Sequence, residues 1–343
     1  MNLFFSTVVF VGAAAGIWFC GSRLTAYADE ISDRYRIGKA FMGFVFLAAA
    51  TELPELVTTL SASWKGNAAL ALNNMFGGVA LQTAVLVVAD IVAKGAPLTY
   101  FPRRPTPMLT AASLVLLLSL LLAVIVLGER ELLPGIGFGP VLLAVAYGSV
   151  IYQLRMRERG EMPWMPVTVP EFSPDRTQTW VSSYPEIDNT GLVIRFAGMS
   201  IAILGLGLAL VATGEQIAHE TGLGSSFVGA TLLAGSTSLP ELSTTVAAVR
   251  LKSYSMAISN ILGSNLIMLA LILPADIAYR AGPILLAADK TATFAIVTGI
   301  IVTVIYLYGL IARSSRQILG MGMDSAIVGV VYAASLVVFY RLV

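Results

Sequence analysis

The sequence predicts an all-α polytopic membrane protein with ten transmembrane helices, arranged as two inverted five-helix repeats in which helices 2 and 7 are broken. Three observations predict this fold. The chain of 343 residues is 57% hydrophobic and only 12% charged. Its apolar segments are repeatedly long enough to cross a hydrocarbon core of about 30 Å. The segment that contains Pro54 and Glu55 recurs 186 positions later with Pro240 and Glu241.

Ten apolar segments are candidate spans: 3–22, 37–62, 67–93, 107–127, 134–153, 192–218, 223–249, 254–278, 288–312 and 323–341. The first basic residue, Arg23, follows the first segment, so we interpret that segment as a span and not as a cleaved signal peptide. The loop 154–191 is rich in proline and charge, which is typical of a linker. The predicted domains are a first repeat (1–153), this linker and a second repeat (192–343).

The internal repeat extends well beyond the two prolines. Between 50–90 and 236–276, 14 of 41 positions are identical without a gap. The matches include proline, glutamate, asparagine, glycine and aspartate, which chance similarity between apolar helices does not reproduce in register. Because five spans separate equivalent positions, the second repeat enters the membrane from the opposite side, and the repeats are predicted to be inverted.

The distribution of lysine and arginine predicts the orientation. With the N-terminus outside, the inside loops carry 16 of the 21 basic residues. We therefore expect both termini outside, the loop 154–191 in the cytoplasm, and the protein in the plasma (inner) membrane. The net charge of +1 gives no indication of nucleic-acid binding. The expected partners are inorganic cations and the lipid bilayer.

Pro54 and Pro240 predict a break in helices 2 and 7. A proline donates no N–H, and its ring crowds the carbonyl four residues back, so each span is expected to form two half-helices. In lipid, such a break persists only where protein or a water-filled cavity covers it. In inverted-repeat transporters the broken helices meet at the midplane, which would bring Glu55 and Glu241 face to face.

Oxygen ligands at these breaks indicate a site for a hard cation such as Ca²⁺ or Na⁺. Two carboxylates at membrane depth are costly unless they are neutralised, which favours a cation site over a helix kink that is merely capped by its glutamate. The candidate ligands are Glu55, Glu241, Thr51, Thr237, Ser238, Glu52, Asn74, Asn260 and Ser264.

Some of these candidates have alternative interpretations. Glu52 has no acidic counterpart, since the equivalent residue is Ser238. It is interpreted as a third ligand, a proton carrier or a residue that faces an aqueous vestibule; on a continuous helix it would share a face with Glu55. Asn74 and Asn260 occupy equivalent positions and are interpreted as ligands or as residues that support ligands.

Two further aspartates match in the repeat. Asp90 and Asp276 end their spans and are interpreted as solvated helix termini.

Several classes of protein are excluded or kept as alternatives. One cysteine and one histidine leave no intrachain disulfide and no conventional zinc site, and the nucleophile or metal set of an intramembrane enzyme is missing. No enzyme activity and no cofactor are expected. A cation channel would use the same constriction without dependence on a counter-ion, and a transport-inactive cation sensor would bind without flux.

These motifs resemble the sodium/calcium exchanger membrane-domain family, the cation/Ca²⁺ antiporter superfamily. The two repeats of that family carry a G-T-S-x-P-E break followed by G-N-x-x-G-S-N. The second repeat here is close, with STSLPE at 236–241 and SNILGSN at 259–265. In the first, ATELPE at 50–55 has Glu52 where the family has serine, and NNMFGGV at 73–79 lacks the final Ser-Asn.

The resemblance implies a secondary active antiporter that exchanges Ca²⁺ for Na⁺ or H⁺ by alternating access. It implies a central Ca²⁺ site made by Glu55, Glu241 and the backbone oxygens of Thr51 and Thr237, flanked by Na⁺ sites. It also implies that the first and sixth spans slide against the other eight.

One departure affects the expected ions. Well-studied exchangers complete the Na⁺ sites with Asn or Asp at positions that correspond to Gln82 and Met268. Because methionine supplies no hard oxygen, H⁺ coupling or a different transported cation is favoured.

Overall fold

The computed structural model describes residues 3–158, 182–221 and 235–342, which are mostly helical. In the first half the elements are α1 (Leu3–Arg34), α2 (Lys39–Phe41), a π-helical segment (Met42–Leu47), α3 (Ala48–Thr51), α4 (Leu53–Trp64), α5 (Ala68–Val92), a 3₁₀ turn (Leu98–Tyr100), α6 (Thr106–Leu127), β1 (Glu131–Leu133), β2 (Ile136–Gly137) and α7 (Phe138–Glu158). In the second half they are α8 (Asn189–Glu220), α9 (Leu239–Arg250), α10 (Tyr254–Ala270), α11 (Ile272–Ala278), a 3₁₀ turn (Ile284–Ala287), α12 (Lys290–Ala312), β3 (Gln317–Ile318), β4 (Met321–Gly322) and α13 (Met323–Leu342).

Fewer helices than predicted qualify as membrane spans. Within the described ranges, seven are long and apolar enough to cross a membrane, and the bent pair Lys39–Thr51 and Leu53–Trp64 makes up to eight. The fifth predicted segment is a short hairpin followed by α7, which is not among them. The seventh, 223–249, lies partly outside the described residues, and its described part ends in the 12-residue α9. Most of the predicted linker 154–191 also lies outside them.

Two antiparallel hairpins, β1–β2 and β3–β4, were not predicted. Each strand has only two or three residues, too few to show an alternating pattern. In the second hairpin the turn residues Leu319 and Gly320 both have positive φ, 55° and 81°, as a type I′ turn requires.

Helix α10 lies at the centre of the bundle. It packs against the π-helical segment, α5, α6, α7 and α9, and every residue from 256 to 266 is buried. Helices α1 and α8, each 32 residues long, pack along one another and contact the rest mainly through α9 and α4. The two interrupted helices therefore lie against α5 and α10 in the interior.

The π-helical segment and α10 approach each other backbone to backbone. A Cβ added at Gly263 would meet the backbone of Phe44, and one added at Gly43 would lie 2.5 Å from the carbonyl oxygen of Met256. Glycine is required at such contacts because any side chain would separate the two backbones. This contact fixes the segment that leads to the first break.

The interpretation of Asp90 as a solvated helix terminus was wrong. Its side chain is fully buried. Its carboxylate accepts hydrogen bonds from the backbone N–H groups of Leu98 (2.5 Å) and Gly322 (2.7 Å). It therefore binds both the 3₁₀ turn that follows α5 and the hairpin of the other half of the chain.

Asp276 was wrongly interpreted in the same way. It is also fully buried and accepts N–H hydrogen bonds from Ile284 (2.6 Å) and Gly137 (2.7 Å). Leu98 and Ile284 lie 186 positions apart, as the two aspartates do. Both aspartates are buried because each satisfies backbone donors from two loops that would otherwise be unpaired.

Candidate cation site

Both predicted breaks occur two residues before the prolines. Helix α3 ends at Thr51 and α4 begins at Leu53, with a bend of 50° at Glu52. In the second half, residues 235–237 are helical and α9 begins after Ser238. Glu52 (φ −77°, ψ −3°) and Ser238 (φ −86°, ψ 3°) have nearly the same backbone conformation, one that is common in turns and sparse in helices.

Three carboxylates converge at these breaks. Glu52, Glu55 and Glu241 each offer a carboxylate oxygen, and these three oxygens all lie within 4.8 Å of one another. The exposed fractions are only 1%, 2% and 0%. The structure thus brings the two predicted glutamates together and adds Glu52, which the sequence left open.

These carboxylates are unusually short of partners. Among the described residues, neither oxygen of Glu55 or Glu241, nor Oε2 of Glu52, has a hydrogen-bond partner. Within the same ranges, the ion pairs observed involve Glu30, Asp29 and Asp33 and do not include these three. A buried carboxylate without a partner is strongly unfavourable, so the arrangement is suited to holding a cation.

Hydroxyl groups border the cluster. Thr51 is fully buried; its Oγ1 donates to the carbonyl of Ala48 (3.1 Å) and lies 3.5 Å from Oγ of Ser264 on α10. Ser238 is buried and Thr237 is half-buried at the second break. These oxygens match the donor set that hard cations prefer.

The predicted amides bind neighbouring helices. Asn74 donates to Oγ1 of Thr59 (3.4 Å), and Asn260 donates to Oγ1 of Thr244 (3.0 Å) and of Thr245 (3.2 Å). Thr59 and Thr245 each lie four residues after a site glutamate, one helical turn away. Oδ1 of Asn260 has no partner among the described residues. The NH₂ groups of both amides therefore form hydrogen bonds that connect α5 and α10 to the half-helices that carry the glutamates.

The contact between Glu52 and Gln82 was not predicted from the sequence. Nε2 of Gln82, on α5, donates to Oε1 of Glu52 at 2.7 Å, and both side chains are 1% exposed. The sequence does carry a signal, because both residues depart from the family pattern. Their proximity depends on how α5 packs against the break, which the sequence does not specify.

Comparison with known proteins identifies the class. The family model described as "Sodium/calcium exchanger protein" matches residues 5–154 and 191–341. Inner membrane protein YrbG of Escherichia coli (strain K12) is 27% identical over 269 residues, 74% of each chain. The Alkalimonas amylolytica protein named "Putative antiporter CaxA" is 24% identical over 259 residues, 75% of each chain.

A solved structure has the same fold. The sodium-calcium exchanger NCX_Mj, soaked with 10 mM Na⁺ and zero Ca²⁺, aligns with a TM-score of 0.70 at 15% identity, covering 98% of this chain and 99% of that chain. Fold and matches together define an integral membrane protein of the cation-transporting exchanger class, not an enzyme. The chain belongs to the sodium/calcium exchanger protein family.

Proposed function

We propose that this protein is a secondary active cation antiporter that exchanges Ca²⁺ for Na⁺ or H⁺ by alternating access, at a midplane site made by Glu55 and Glu241. Glu52 serves as a third anionic ligand, and Thr51, Thr237, Ser238 and Ser264 supply neutral oxygens. The observation that carries the proposal is the group of three buried carboxylates whose oxygens lie within 4.8 Å of one another.

Electrostatics connects this cluster to exchange. Two unit charges 4.8 Å apart repel by about 3 kcal/mol at an effective dielectric constant near 20, and burial adds a larger cost. A carrier with three charged carboxylates and no bound ion would therefore not pass through the occluded conformation that separates its two open conformations. Binding of Ca²⁺, of monovalent cations or of protons neutralises this charge. The protein therefore changes conformation only when the site is occupied, and one kind of ion is exchanged for another.

Inverted repeats account for the geometry of the site. The two breaks share a backbone conformation, and equivalent aspartates accept equivalent N–H groups. These correspondences support ten spans in two five-helix repeats, 1–153 and 192–343, joined by the linker 154–191. Asn74 and Asn260 then hold the two half-helices in the same way.

The proposed orientation places both termini outside and the linker in the cytoplasm. It rests on the excess of lysine and arginine in the inside loops. Location in the plasma (inner) membrane agrees with the name of the Escherichia coli relative, inner membrane protein YrbG.

Transport in liposomes tests the proposal. Purified protein is reconstituted, and ⁴⁵Ca²⁺ uptake is followed with an outward Na⁺ gradient and, separately, with a pH gradient. We expect uptake with at least one gradient and its loss in Glu55→Gln and in Glu241→Gln. The matched control is Glu220→Gln, at an exposed glutamate whose hydrogen bond from Gln216 the new amide oxygen can also accept.

The outcomes separate the alternatives. Uptake that is independent of both counter-ions would indicate a channel. Ca²⁺ binding without flux would indicate a transport-inactive sensor. Exchange of another cation in place of Ca²⁺ would keep the antiport mechanism and change its substrate.

A further inference from the structure

Four of the departures from the family pattern in this chain are in contact in pairs. Glu52, which replaces a serine of the first break, accepts the hydrogen bond from Gln82 at 2.7 Å. On the neighbouring turn of α5, Gly78 faces Met268: a Cβ added at Gly78 would lie 2.6 Å from Cε and 3.1 Å from Sδ of Met268. The four residues therefore make two contacts, and one member of each contact, Gly78 or Gln82, lies on the same stretch of α5.

The pair of Gly78 and Met268 supplies no hard oxygen. Gly78 has no side chain, and the space beside it is occupied by the thioether of a methionine that is 1% exposed. A thioether is a soft ligand and suits Ca²⁺ and Na⁺ poorly. The contact between these two residues is therefore apolar packing.

The pair of Glu52 and Gln82 adds an anionic ligand. A hydrogen bond to a carboxylate is charge-assisted, and here it occupies Oε1. Oε2 has no partner among the described residues. Gln82 thus holds one carboxylate oxygen of Glu52, and the other oxygen can still bind a cation.

Position in the fold makes this contact important. Glu52 is the residue at the bend between α3 and α4, where the backbone does not continue a helix. Gln82 belongs to α5, a continuous helix of 25 residues. The hydrogen bond therefore ties the side chain at the break to a rigid neighbour.

We propose that Gln82 is a positioning residue that holds Glu52 as the third carboxylate of the cation site, in place of the oxygen ligands missing at Gly78 and Met268. This inference rests on the proposed function. Three anionic ligands favour a divalent over a monovalent cation, since affinity for Ca²⁺ rises with the charge of the ligand set.

Equilibrium binding of Ca²⁺ to the full chain in nanodiscs tests the inference, by calorimetry with and without Na⁺ as competitor. The variants are Gln82→Met, which keeps the length and removes the amide, Glu52→Gln, and the double variant. The matched control is Gln153→Met, at an exposed glutamine of α7. A melting curve without Ca²⁺ checks folding, and Gln82→Asn replaces Gln82→Met, alone and in the double variant, if that substitution fails this check.

We expect Gln82→Met to weaken Ca²⁺ binding by roughly tenfold or more and to increase competition by Na⁺. The double variant should bind no more weakly than Glu52→Gln alone, because Gln82 acts through Glu52. Unchanged binding in Gln82→Met, or losses that multiply in the double variant, would overturn the positioning role. So would a wild-type protein that binds no divalent cation.

Flux in liposomes separates this inference from the proposed function. In one outcome, the wild-type protein binds Ca²⁺, the variants show the expected coupling between Gln82 and Glu52, and no gradient drives uptake. That result leaves the role of Gln82 intact and contradicts antiport. Alternatively, the wild-type protein shows gradient-driven uptake, and Gln82→Met binds Ca²⁺ as well as the Gln153→Met control does. That result leaves antiport intact and contradicts the role of Gln82.

Discussion

The carboxylate of Asp90 binds the backbone N–H of Gly322 at 2.7 Å, across 232 residues of sequence. Asp276 forms the corresponding bond to Gly137. Each aspartate lies in the last turn of a helix of one half of the chain and accepts a hydrogen bond from the hairpin of the other half. The two halves are thus joined reciprocally at buried hydrogen bonds as well as through apolar packing.

We expect Asp90→Asn to destabilise the protein by about 2 kcal/mol, because an amide nitrogen would turn one acceptor into a donor and leave a buried N–H unpaired. The measurement is the melting temperature in detergent without Ca²⁺. Glu131→Gln is the control, since this exposed glutamate also accepts a backbone N–H, that of Gly135. Equal melting temperatures for the two variants would contradict the structural role of Asp90.

Gly263→Ala should be more damaging than an ordinary glycine substitution. Its Cβ would meet the backbone of Phe44, which cannot move aside as a side chain can. Overpacking of this kind costs about 1 to 3 kcal/mol, and we expect the upper end here. Gly148→Ala is the control, because no atom of the described residues lies within 4 Å of a Cβ at that position of α7. Similar yields of folded protein from the two variants would contradict the close approach.

Gly78→Ser should cost less, about 1 kcal/mol, because the atom in its way is the flexible end of Met268. Met268→Leu lacks that terminal methyl, so the double variant should melt above Gly78→Ser alone. If the loss of stability in the double variant equals the sum of the losses in the two single variants, the two residues are not coupled. Thermal unfolding of the four proteins is sufficient for this test.

Arg34 holds the segment that precedes α8. Its guanidinium donates to the carbonyls of Ile187 and Tyr184, both at 2.6 Å, and its Nε pairs with Glu30 at 2.8 Å. We expect Arg34→Gln to accelerate chymotryptic cleavage at Tyr184, because the segment loses the hydrogen bonds that Arg34 donates to its backbone carbonyls.

Arg34→Lys should not restore resistance to chymotrypsin, since an ammonium group lacks the planar fork of a guanidinium. Arg36→Gln, at an exposed arginine two residues away, is the control. Cleavage at the wild-type rate in Arg34→Gln would contradict the attachment.

Part of the fold could be predicted because membrane insertion leaves a strong sequence signal. The long apolar segments, their order and the interruption before Pro54 all follow from the cost of exposing backbone and charge to lipid. Helix ends were less predictable. Helix α1 continues to Arg34 because its polar last turns have partners in other elements, and those partners are set by packing.

The residues of the candidate site were easier to predict from the sequence than the hydrogen bonds between them. The structure brings Glu55 and Glu241 close together, as the internal repeat predicts, and their role as ligands stays a prediction. The burial of Asp90 and Asp276 was missed because their partners are backbone N–H groups, which leave no mark on the side-chain sequence.

The sequence by itself determined a membrane protein with an internal duplication and acidic residues at two helix breaks, since hydropathy, proline and charge act locally. Only the tertiary structure decided that Glu52 joins the other two glutamates and that Gln82 binds it. Those contacts depend on the packing of α5 and α10 against the breaks. Such packing is fixed by many weak contacts between distant residues, so no local pattern specifies it.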